Sequence, residues 1–119
     1  MSMPLNHPLL ALAPAGKSAL RIKAIGIAPD PSSQAYVTER TQGKLGKFAQ
    51  HIQRLEIRMK RLGWVGNEPR VSCVLSLTLD GGGQLAVERS ASGARAAFDH
   101  AMGVAERLLR QTLQRLRHR

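Results

Sequence analysis

Apolar and polar positions change period several times along this chain, and each change marks an element. From Ala19 to Gly26 (ALRIKAIG), Leu20, Ile22 and Ala24 alternate with Arg21 and Lys23, which predicts a short half-buried strand. Pro29, Asp30 and Pro31 end it, and Ser32 and Ser33 offer an N-cap to the next element. Between Ser33 and Ile52 the period becomes helical. Val37, Thr41, Leu45, Phe48 and Ile52 recur at spacings of four, four, three and four, one mostly apolar stripe. Beside it, at the same spacing, run Arg40, Lys44, Lys47 and His51, with Tyr36 one turn earlier. The helix is therefore expected to carry a core face and an adjoining cationic face. Gly43 and Gly46 weaken it by about 1 kcal/mol each relative to alanine.

Strict alternation then returns. Leu55, Ile57 and Met59 face one way and Arg54, Glu56, Arg58 and Lys60 the other, a strand with a wet, basic outer face. Leu62 to Pro69 (LGWVGNEP) reads as loop. Val71 to Leu79 predicts a second long strand with Val71, Cys73, Leu75, Leu77 and Leu79 inward. Asp80 to Gly83 turn the chain, and Leu85 and Val87 mark the returning strand of an antiparallel meander. Ser90 to Ser92 can cap a last helix running to about His118. Its buried face is Ala94, Ala97, Phe98, Ala101, Ala105, Leu108, Leu109, Thr112 and Leu116, and Arg95–Asp99 and Glu106–Arg110 stand at i,i+4 outside it.

The expected order is β-α-β-β-β-α. A strand joined to the next through a helix implies a right-handed crossover and a parallel pair. The fold class is α+β: a two-layer sandwich, dsRBD-like, with two helices on one face of a four-stranded sheet. Residues 1–18 contain three prolines and no periodicity and read as a flexible amino-terminal arm, leaving residues 19–119 as one domain.

Composition narrows the function. With 119 residues there is room for one domain, and 43% apolar residues suffice for a core. The one cysteine excludes a disulfide framework and a CxxC redox pair. No apolar run approaches the ~20 residues of a membrane helix. Lys and Arg outnumber Asp and Glu 18 to 8, a net charge of +10. Gln34 to Arg61 holds seven basic and two acidic residues, a net +5, and Arg107 to Arg119 holds five arginines and no acid, another +5. Segregation of that kind points to a polyanion partner.

Catalytic chemistry finds no foothold. The four histidines (His7, His51, His100, His118) lie far apart and lack ligand spacing. Asp99 and His100, adjacent on a helix, point about 100° apart. Cys73 falls on the inward side of a strand, and the glycines at 81–83 precede no phosphate-binding helix. No enzyme, cofactor, metal or small-molecule substrate is expected. Gly43-Lys44-Leu45-Gly46 matches the GxxG of KH domains, but a loop there would break the apolar stripe that runs through it.

Two motifs carry a family resemblance. Lys44-Leu45-Gly46-Lys47-Phe48 in the first helix and Arg95-Ala96-Ala97-Phe98-Asp99 opening the second resemble segments of the ribosome hibernation promoting factor / sigma-54 modulation family, also called ribosome-associated translation inhibitors. The resemblance covers roughly residues 19–118 and is to the family's short form. Arg95 stands where the family usually has tyrosine. The resemblance implies binding in the decoding channel of the small ribosomal subunit, contacts to rRNA phosphates, and steric inhibition of translation in stationary phase or stress. It further implies a cytoplasmic protein, monomeric when free, with no membrane partner. Candidate RNA-binding residues are Arg40, Lys44, Lys47, Arg54, Arg58, Lys60, Arg110, Arg115 and Arg117, the two basic clusters converging on one surface. Trp64 is expected to fold back over the sheet edge, with stacking on a base as the alternative. The other readings are a generic KH-like RNA-binding module and a protein-interaction regulator of a transcription factor.

Overall fold

A computed structural model describes residues 10–12, 22–28 and 30–117. The elements are β1 (Leu10–Leu12), β2 (Ile22–Ile25), α1 (Pro31–Leu45), a 3-10 helix (Gly46–His51), β3 (Ile52–Val65), β4 (Glu68–Leu79), β5 (Gln84–Ser92) and α2 (Ala94–Arg117). The four expected strands and two helices stand in the expected order. β2 pairs parallel with β3, as the helical crossover requires, and β3, β4 and β5 form the antiparallel meander. β1 adds a fifth, three-residue strand antiparallel to β2. It is the described part of the segment expected as an arm; residues 1–9 and 13–18 lie outside the described residues, as do residues 19–21 of the expected first strand.

One face of the sheet is covered. Ile22 and Ala24 of β2, Leu55, Ile57 and Met59 of β3, Val71 to Leu79 at alternate positions of β4, and Val87 and Ala91 of β5 are buried. Val37, Thr41 and Leu45 of α1 and Ala97, Phe98, Ala101, Met102, Ala105 and Leu109 of α2 pack onto them in a single cluster. Each large side chain fully buried there stabilises the fold by about 1.5–3 kcal/mol. Met102 belongs to this face although the helical stripe read from the sequence passes it by. Leu116, expected inside, is 51% exposed because α2 outruns the layer beneath it, and Ala94 is exposed at its first turn.

Local details depart from the sequence reading in four places. The cap of α1 is Asp30, whose carboxylate accepts from the Ser33 amide at 2.9 Å, with Pro31 in the first turn; Ser32 and Ser33 are already helical. That bond is the leading cause of the lowered pKa of Asp30. At Gly46 the α-helix tightens to a 3-10 helix, so the apolar stripe survives while Ala49 joins the core. Ser90 to Ser92 are strand, paired with β4, and Gly93 at φ +87° makes the turn into α2.

The fourth departure is the largest. Residues 62–69 are a hairpin and not a loop: β3 continues to Val65, and β4 begins at Glu68. Gly66 at φ +64°, followed by Asn67 without positive φ, is the type II′ pattern of a two-residue turn. A bulge between Arg61 and Gly63 lets the ribbon continue past the sheet. Pro69 is tolerated because it sits in this outlying part of β4, opposite Trp64.

Candidate nucleic-acid interface

Arg40 and Lys44 of α1 and Lys47 of the 3-10 helix that follows lie against α2, and each meets a carboxylate there. Arg40 Nε is 3.3 Å from Asp99. Lys47 Nζ donates to Glu106 Oε2 at 2.8 Å, and Lys44 Nζ is 3.6 Å from Oε1 of the same residue. Arg110, one turn along α2, reaches Glu106 Oε2 at 3.3 Å. Glu106 thus gathers three cations, one each from α1, the 3-10 helix and α2. Its side chain is only 15% exposed, while those of Lys44, Lys47 and Arg110 are 39–51% exposed. The hydrogen bond from Lys47, seconded by the charges of Lys47, Lys44 and Arg110, holds the Glu106 pKa below its ordinary value.

Asp99 organises the neighbouring turn. It accepts from the Tyr36 hydroxyl at 2.6 and 2.8 Å, and this bond pushes the phenol pKa up. The Tyr36 ring meets Phe98 edge-on at 6.1 Å, and the Arg95 guanidinium lies 4.1 Å from its centre. The i,i+4 pair expected between Arg95 and Asp99 is therefore replaced. Arg95 stacks on the tyrosine of α1, and Asp99 binds that tyrosine and Arg40. The pair expected between Glu106 and Arg110 is present. Tyr36, Asp99 and Glu106 were not among the candidate site residues, yet they set the geometry; the only signal for them was their helical spacing.

Surface ion pairs contribute about 0–1 kcal/mol each, far less than the apolar packing beneath them. Their main effect here is positional: they hold four long cationic side chains in one array while leaving each substantially wet.

The structure brings together only part of the candidate set. Arg40, Lys44, Lys47 and Arg110 converge on the helical layer. Arg115 is exposed further along α2, and the side chain of Arg117 lies outside the described residues. Arg54, Arg58 and Lys60 project from β3 on the opposite, uncovered face of the sheet, because they alternate with the buried Leu55, Ile57 and Met59. The expectation of one converged basic surface is thus corrected to two surfaces, one on each side. On the open face Arg58 pairs with Glu56 at 2.6 Å; Arg54 and Lys60 have no ionic partner among the described residues. A shallow groove beside them is lined by Arg54, Glu56, Ser76, Thr78, Gln84 and Ala86.

Other sequence candidates find plain structural roles. Gly43 to Gly46 runs helically with no intervening loop, so the GxxG clamp of a KH domain is not formed. Burial pushes the Cys73 thiol up to about 12, far from the reactive range. Among the described residues no three His, Cys, Asp or Glu side chains assemble as a metal site, and no helix is long and apolar enough to cross a membrane.

No curated protein matches the chain. Residues 20–117, from β2 through the end of α2, match the family model described as sigma 54 modulation protein / S30EA ribosomal protein. That span takes in the Lys44–Phe48 motif, whose lysines meet Glu106, and the Arg95–Asp99 motif, whose ends meet Tyr36 and Arg40. The chain belongs to the sigma 54 modulation / S30EA ribosomal protein family.

Proposed function

We propose that this domain binds the rRNA of the small ribosomal subunit and inhibits translation by occupying the path of messenger and transfer RNA, in stationary phase or stress. Membership of a ribosome-associated family supports the target. The observation that carries the reading is the cluster of Arg40, Lys44, Lys47 and Arg110, gathered from α1, the 3-10 helix and α2 by two acidic side chains. Cations held at fixed spacing match an array of phosphates, whose contacts position a protein without reading sequence. Recognition is then of rRNA shape. Arg115 extends the helical surface toward the end of α2, with Arg117 a further candidate in the same segment, and Arg54, Arg58 and Lys60 offer a second contact from the open sheet face. Inhibition on this reading is occlusion, with no bond made or broken. The factor acts as a monomer in the cytoplasm.

Co-sedimentation with purified small and large subunits across a salt series tests this. Binding should prefer the small subunit and weaken with a log–log salt slope at least as steep as roughly −3 to −4, the share of the four clustered cations alone. Steep salt sensitivity without subunit preference would reduce the domain to a generic polyanion binder. Binding to a protein partner that survives RNase would favour a transcription-factor regulator instead.

A further inference from the structure

We propose that Trp64, near the tip of the β3–β4 ribbon, is a stacking platform for an unpaired RNA base; this rests on the RNA-binding reading above. The indole is 61% exposed, and Leu62 and Val65 beside it are exposed as well. It does not fold back over the sheet edge, the outcome expected from the sequence. A side chain this large and apolar ordinarily reaches the core or a partner.

The indole is presented by ordered backbone. Trp64 opposes Pro69, between the Gly63–Arg70 and Val65–Glu68 pairs, and the Gly93 amide donates to the Pro69 carbonyl at 2.9 Å, tying the ribbon to the start of α2. Gly63, immediately before the indole, offers no side chain to cover it, and an added Cβ there would meet nothing within 4 Å. A platform fixed in this way loses little conformational freedom when a ligand covers it.

Charge selects the occupant. The Arg61 guanidinium lies 5.7 Å from the centre of the Trp64 ring. By alternation Lys60 and Arg70 project from the other side of the ribbon, and Glu68 is the one carboxylate at the tip. Arg54, Arg58 and Lys60 lie on that other side too, so Arg61 is the cation that shares the indole's side. A partner at the indole must therefore offer a flat apolar surface with an anion within reach of Arg61, which describes a nucleotide. A second copy of the chain would set Arg61 against itself.

Trp64 is the single tryptophan of the chain, so its emission reports this site alone. The full chain is titrated with single-stranded oligoadenylate of about ten nucleotides, a length within the usual site size, and with heparin, an anion without bases. The expected result is quenched emission with the RNA and emission unchanged by heparin. Trp64→Ala should weaken RNA binding about tenfold, the scale of one stacked base, without altering heparin binding or the melting temperature. Trp64→Phe should restore part of the loss and Trp64→Leu none. RNA that binds without quenching, or binds Trp64→Ala undiminished, overturns the stacking and leaves the charged interface standing. Absence of RNA binding by the native chain at low salt overturns both. An emission shift that tracks protein concentration without RNA assigns the tip to self-association and overturns the proposal.

Discussion

The helical row of Arg40 and Lys44 in α1 with Lys47 in the 3-10 helix, and the β3 row of Arg54, Arg58 and Lys60, hold three cations apiece, and nothing in their charge distinguishes them. Their surroundings do. Every member of the helical row meets a carboxylate of α2, and Arg110 joins from that helix. In the β3 row only Arg58 has such a partner, a neighbour on its own strand. The first row is anchored across an interhelical seam and the second extends into solvent. An anchored array recognises a particular arrangement of phosphates, whereas free side chains attract any of them. On the RNA-binding reading proposed above, equal charge separates into selectivity on one face and general affinity on the other.

The largest expected effect comes from neutralising each row in turn. Arg40, Lys44 and Lys47 changed together to glutamine should lower the salt slope of subunit binding by about three and abolish the preference for the small subunit. The same change at Arg54, Arg58 and Lys60 should weaken binding to all RNAs alike and preserve the preference. Co-sedimentation at matched salt measures both. Loss of preference from the β3 variant would reverse the assignment.

A smaller effect is expected from Glu106→Gln, which releases three cations from their shared anion. Binding to non-ribosomal RNA should rise severalfold while preference for the small subunit falls. The acid limb of stability should change as well. Because the folded pKa of Glu106 is depressed, its contribution is present above its unfolded value and disappears as the pH falls through the folded one. Melting temperatures measured into the acid range should decline less in Glu106→Gln than in the native protein.

The smallest effect is at Tyr36. Removing its hydroxyl in Tyr36→Phe should cost about 1 kcal/mol by urea unfolding and leave Arg40 less firmly placed. As the single tyrosine of the chain, Tyr36 can be titrated by absorbance, with a midpoint above the ordinary phenol value. Asp99→Ala should return that midpoint toward normal. Stability held by the neutral phenol is complete below its unfolded pKa and lost as pH rises through the folded one.

Much of this architecture was legible in the chain because one-dimensional periods report burial. Leu55, Ile57 and Met59 alternate, and they are buried; Val37, Thr41 and Leu45 recur at helical spacing, and they are buried too. The ribbon at 62–69 was missed because two glycines and a proline outweigh short-range alternation. The two-residue signal at Gly66-Asn67 was there to be read. The cap at Asp30 was missed because three residues in the same stretch can cap, and Pro31 at the first turn decides among them. The division of the basic residues was missed for a different reason. Helix and strand were each assigned a wet face, but a two-layer fold directs the wet face of its sheet away from its helices. The partners of Arg40 and Lys47 lie 59 residues further on in both cases, beyond the reach of any local pattern.

β3 runs without a break from the 3-10 helix to the tip of the ribbon. Its 14 residues span about 45 Å at roughly 3.3 Å per residue, close to the full 48 Å length of the molecule. On the RNA-binding reading, a single strand therefore acts as a ruler between the Arg54 end of the basic row on one face and the indole on the other. Once one end is seated, the other is confined to a fixed radius, and its second encounter becomes intramolecular. Two contacts of modest strength can then give long residence on an RNA that presents both at that separation, and brief residence on one that does not.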